Sequence, residues 1–99
     1  MELNDFTVQR IAAMEAAFDR TSLAVQMLES ALDTYETVKV DIDRLTDYLE
    51  TGAWRVDFEA DEAGLVPKDL KRGVLSEDGL YDLLADIVRV NEHLQELSE

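Results

Sequence analysis

From Leu3 to about Val38 the chain contains neither Gly nor Pro, and its apolar residues recur at steps of three and four. The series Ile11, Met14, Phe18, Thr21, Val25, Leu28, Leu32, Tyr35 is a heptad seam held for nearly four heptads, with one polar slot at Thr21. That spacing keeps one face of a helix apolar and predicts a long first helix over 3–38. Ala12, Ala13, Ala16, Ala17, Ala24 and Ala31 favour the helical backbone and allow a neighbouring helix to approach closely. Asn4 or Asp5 is placed to cap its start.

The seam then slips. Continued in register, it would put Lys39 and Thr46 in the core, whereas the apolar residues fall at Val38, Ile42, Leu45 and Leu49. Three of the four residues in Thr37-Val38-Lys39-Val40 are β-branched, which weakens a helix. A break near 38–41 is therefore expected, followed by a short second helix over about 41–51 that is stopped by Gly52. An unbroken helix with a phase slip is the alternative. Farther on, Leu80, Leu83, Leu84, Ile87, Val90, Asn91, Leu94 and Leu97 form the stripe of a last helix over 77–97, with Ser76 as its expected N-cap.

Between these helices lies a connection, 52–76, that holds the only Trp, the only Pro and three of the four Gly. It is too rich in apolar residues (Val56, Phe58, Leu65, Val66, Leu70, Val74, Leu75) to be a disordered tether. It is expected to be ordered but irregular, anchored by Trp54 and Phe58, with one brief helix from Pro67 to Arg72 closed by Gly73. The expected fold is all-α: a long N-terminal helix, a short second helix, the ordered connection and a C-terminal helix, arranged as a three-helix bundle or helical hairpin in a single domain, 1–99.

The run GAWRVDFEADEAGLVPKDLKRGVLSEDGLYDLL resembles the signature of a family of small acidic bacterial proteins, domain-of-unknown-function family 4298. The resemblance is specific over Trp54 to Leu84 and looser over the flanking helices. It implies no activity and transfers no catalytic residue. Members of that family often carry a proline near the expected break, where this chain has Lys39-Val40.

Composition narrows the function classes. The net charge is −14 and is uneven. Residues 1–51 carry 11 acids against 4 bases, 52–75 carry 5 against 4, and 76–99 carry 7 against 1. Such charge repels phosphate and anionic head groups, so direct nucleic-acid and membrane binding are not expected. Cysteine is absent, which fits a reducing compartment. The opening MELNDFTVQR lacks a basic start followed by an apolar run, so no secretory signal is expected and a cytoplasmic location is.

Candidate chemistries fail one after another. Asp57, Glu59 and Asp61 alternate as in a calcium loop, but Glu62 stands where the loop needs Gly and Lys68 where it needs Glu. Turn-capping acids that pair with Arg55, Lys68, Lys71 or Arg72 account for them better. His93 is the only histidine, so Ser–His, Cys–His and multi-His arrangements are excluded. No enzymatic activity and no cofactor or metal are expected.

What remains is a non-enzymatic protein–protein interaction module, with a protein partner. Trp54, Asp57, Phe58, Glu59, Asp61, Lys71, Arg72 and Tyr81 are its candidate interaction surface. An acidic nucleic-acid mimic, or charge-based regulator of a basic protein, is the alternative. At about 1.5 Å per residue the first helix should reach about 54 Å and the last only about 32 Å, so the seam of the first cannot be covered by the last alone. Some of Phe6, Ile11, Met14 and Phe18 should then form a self-association face, and a C₂ homodimer is the simplest way to cover it.

Overall fold

The computed structural model describes residues 4–99. The expected start at Leu3 lies outside them. The described residues form four α-helices and one 3₁₀ turn, with no strand among them: α1 Asp5–Thr37, α2 Lys39–Glu50, α3 Ala53–Glu62, the 3₁₀ turn Gly73–Leu75 and α4 Gly79–Leu97. The all-α expectation holds. The chain divides into two compact units, Met1–Lys39 and Val40–Glu99.

Among its described residues the first unit is made up almost entirely of α1. Asn4 caps it, its Oδ1 accepting the Thr7 N–H at 2.8 Å, which satisfies one of the donors a helix start leaves open. With no second layer inside this unit, none of its described residues is buried. Its end is cut by Val38, where the backbone leaves the helix (φ −100°, ψ 3°). The Val38 N–H donates to the Tyr35 carbonyl at 3.1 Å, a three-residue step instead of the helical four. Thr34 and Thr37 hydroxyls donate back to the Ser30 and Thr34 carbonyls, at 3.1 and 2.6 Å, tying off acceptors in the last turns. The helix is therefore broken, not continuous with a slip. The interruption is a single residue, so α2 begins two residues ahead of the expected 41. Asp41 sits in its first turn, 3.6 Å from Arg44.

The second unit carries the core. Trp54, Leu75 and Leu80 are buried, with Leu45, Tyr48, Leu49, Phe58 and Leu84 packed around them. Leu45, Tyr48 and Leu49 stand at i, i+3 and i+4 of α2, so a single face of that helix supplies all three. Trp54 and Phe58 repeat the spacing on α3. The 3₁₀ turn packs against both α3 and α4, and inserts Leu75 between them.

The connection expected over 52–76 needs the main correction, because its first half is the helix α3. Gly52 both stops α2 and precedes α3, in the left-handed conformation (φ 88°) that costs glycine least. The other end is a complete Schellman motif: the Leu65 N–H donates to the Ala60 carbonyl and the Gly64 N–H to the Asp61 carbonyl, both at 3.0 Å, with Gly64 at φ 74°. Gly52 and Gly64 thus bracket ten helical residues, too short a run to repeat an apolar period.

Two smaller expectations also change. Pro67–Arg72 is a turn rather than a helix, closed by one bond from the Leu70 N–H to the Pro67 carbonyl at 3.2 Å; so short a run cannot offset helix nucleation. Gly73 opens the 3₁₀ turn instead of ending that helix. Ser76 does not cap α4, since its hydroxyl donates to the Gly73 carbonyl at 2.8 Å and so belongs to the preceding turn. Consequently α4 starts at Gly79, two residues after the expected 77. Its stripe is buried only at Leu80, and Leu83, Val90 and Leu97 are exposed.

Candidate functional site

The residues singled out between Trp54 and Tyr81 converge on α3, and its successive turns act as anchor points. Trp54, in the first turn, is 5% exposed and donates its indole N–H to the Val74 carbonyl at 2.8 Å. Phe58 stacks on it, with ring centroids 5.0 Å apart and planes at 18°. Tyr81 from α4 meets it edge-on, at 6.2 Å and 83°. The Arg55 guanidinium lies 6.0 Å from the Trp54 ring centroid. Stacked and edge-to-face contacts are the arrangements that the ring quadrupole favours. Trp54 is therefore a packing anchor and not an exposed contact.

The acids of α3 are tethers. Asp57 accepts the Tyr48 hydroxyl at 2.6 Å and joins α2 to α3. Burial of the Tyr48 phenol, together with the Asp57 carboxylate at its hydroxyl, raises its pKa to about 12, because both disfavour a phenolate. Asp61, one turn on, forms an ion pair with Arg72 that closes the loop 63–72 at its base. Asp57 and Asp61 share one helix face at i and i+4, whereas Glu59 falls on another and is exposed. A helix thus separates the three acids that the calcium-like spacing seemed to gather. Among the described residues no group of three or more His, Cys, Asp or Glu is placed to hold a metal ion. His93 is exposed on α4.

The same tethers present an apolar surface that the sequence reading missed. The loop after α3 lies over a furrow of about 400 Å³ whose lining includes Tyr48, Leu65, Val66, Pro67, Leu70 and Val74, with Lys71 and Arg72 at its edge. Tyr48 and Val74 also line a second hollow, of about 500 Å³, with Asp41, Arg44 and Leu45. Leu65 is 77% exposed and Leu70 57%. The available signal is the apolar content of the connection, which marks it as ordered but not which of its side chains face outward. Their backbone is indeed held, by the Leu65–Ala60 hydrogen bond where the loop leaves α3 and by Asp61–Arg72 and Trp54–Val74 where it returns, which leaves the leucines free to face outward.

On the first unit, Phe6, Ile11, Met14 and Phe18 are all half exposed or more. A shallow hollow of about 370 Å³ opens on that helix between Met14, Ala17, Phe18, Thr21 and Ser22. Among the described residues, no helix is long and apolar enough to cross a membrane.

An all-α chain with an aromatic knot, tethering acids and outward apolar faces is thereby defined. Residues 11–97 match the model of the family described as domain of unknown function (DUF4298), and the chain belongs to that family. Comparison with curated proteins and with solved structures returns no match.

Proposed function

We propose that the chain is a non-enzymatic protein–protein interaction module whose second unit offers the loop 63–72 as a contact surface. One observation carries this: two leucines point to solvent on a backbone that is fixed at both ends. Exposed apolar surface of that kind is disfavoured unless something covers it. A fixed loop also loses little conformational entropy on binding, which favours its use as a contact. The fitting partner is a protein segment that brings apolar side chains into the furrow, beside Lys71 and Arg72.

The excess of acids on 1–51 and 76–99 favours a second reading, the acidic mimic that occupies a basic protein's binding site. Salt discriminates between them. A partner found by affinity capture is purified and its affinity measured for the natural chain and for Leu65→Asp/Leu70→Asp, at low and high ionic strength. An interaction module loses the partner in the variant and holds it in salt. A mimic keeps the partner in the variant and releases it steeply as salt rises.

A further inference from the structure

We propose that α1 pairs with α1 of a second copy as a parallel, in-register two-stranded coil. This rests on the interaction-module reading and names the chain itself as a partner. Heptads written on the seam put Ile11, Phe18, Val25 and Leu32 at position a and Met14, Thr21, Leu28 and Tyr35 at d. β-branched residues at a with leucine at d, as at Ile11, Val25 and Leu28, are the choice that suits two strands. The hollow on α1 matches this register. Met14, Ala17, Phe18 and Thr21 occupy d, g, a and d, and four residues in that relation form the hole that a facing side chain fills in a coiled coil. In a parallel pair the side chain at that level is Phe18 of the second copy. The small Ala17 leaves room for its ring.

Charge selects the direction. Flanking positions g are Arg10, Ala17, Ala24 and Ala31, and positions e are Glu15, Ser22, Glu29 and Glu36. A parallel coil sets each g opposite the next e along the other strand, so Arg10 meets Glu15 of the second copy, twice by symmetry. The remaining pairs set alanine against serine or glutamate and repel nothing. An antiparallel coil would instead set glutamate edge against glutamate edge.

The chain has no cysteine, so a single introduced thiol reports on the geometry. In the full chain, Ile11→Cys should form a disulfide dimer under mild oxidation, whereas Ala16→Cys, on the opposite side of the helix, should not. In an antiparallel coil the two introduced thiols would lie tens of ångströms apart. Light scattering should give a dimer mass, and the dimer should tighten with added salt, because each copy carries −14. Glu15→Arg, at an exposed position, should weaken the dimer by roughly tenfold at low salt, from two reversed surface pairs. Arg10→Glu/Glu15→Arg should restore it. A monomer at both low and high salt overturns the coil, and so does a dimer in which the Ile11→Cys variant does not cross-link. Neither result touches the loop 63–72, so the interaction-module reading stands or falls on its own Leu65→Asp/Leu70→Asp measurement.

Discussion

The indole N–H of Trp54 donates to the carbonyl of Val74, twenty residues away, at 2.8 Å. This bond fixes the far end of the loop to the first turn of α3, and the ring that makes it is itself the centre of the core. Trp54→Ala should therefore destabilise the second unit by roughly 3–5 kcal/mol, the range for a buried aromatic removed from a core. Trp54→Phe keeps much of the packing but leaves the Val74 carbonyl without the indole, at about 1–3 kcal/mol. Urea unfolding of both variants checks the order, and a Trp54→Phe variant as stable as the natural chain would show that the hydrogen bond contributes nothing.

Tyr48 and Asp57 make stability depend on alkaline pH. The folded Tyr48 pKa is raised to about 12, above the value of about 10 for an unfolded tyrosine. Below pH about 10 both states hold the proton and the stabilisation is complete. As pH rises from there through about 12, the unfolded state releases its proton first and stability falls. Tyr48→Phe should flatten this part of the profile. Thermal melts between about pH 8 and 12 provide the measurement, and an unchanged slope in the variant would assign the loss to another group.

Gly64 closes α3 in the left-handed region with open space around it. Gly64→Ala therefore meets no neighbour, and its whole cost is backbone strain, about 1–2 kcal/mol. Gly73→Ala also meets open space, but without a positive φ, and should be nearly neutral. A chemical denaturation series on the two variants isolates the conformational strain, since neither position is crowded.

Asp61 and Arg72 close the loop as a partly exposed ion pair. Asp61→Asn should cost only about 0.5–1 kcal/mol of global stability. It should, however, increase amide hydrogen exchange over residues 65–71 while leaving α4 unaffected. Exchange that rises equally in α4 would show that the pair supports the whole unit rather than the loop.

The all-α class, a break within 38–41, the stop at Gly52 and the end of α4 near Leu97 were legible in the order of residues. Each depends on local physics: the period of apolar side chains, a β-branched run, a glycine that accepts positive φ. Asn4 was readable as a cap for the same reason. α3 was hidden because its ten residues are too short a run to repeat an apolar period, and its packing on α2 and the 3₁₀ turn adds what the local pattern lacks. Ser76 has the chemistry of a helix cap, yet its hydroxyl donates to Gly73, because the turn at 73–75 had already drawn the backbone into reach. Trp54 was readable as an anchor, but not its contact with Val74. The outward position of Leu65 and Leu70 was also invisible, since a leucine in a sequence carries no mark of which side it faces. Local sequence determined the helical class, the interruption of the first helix and where α2 and α4 stop; contacts between residues distant along the chain decided which apolar side chains became core and which became surface.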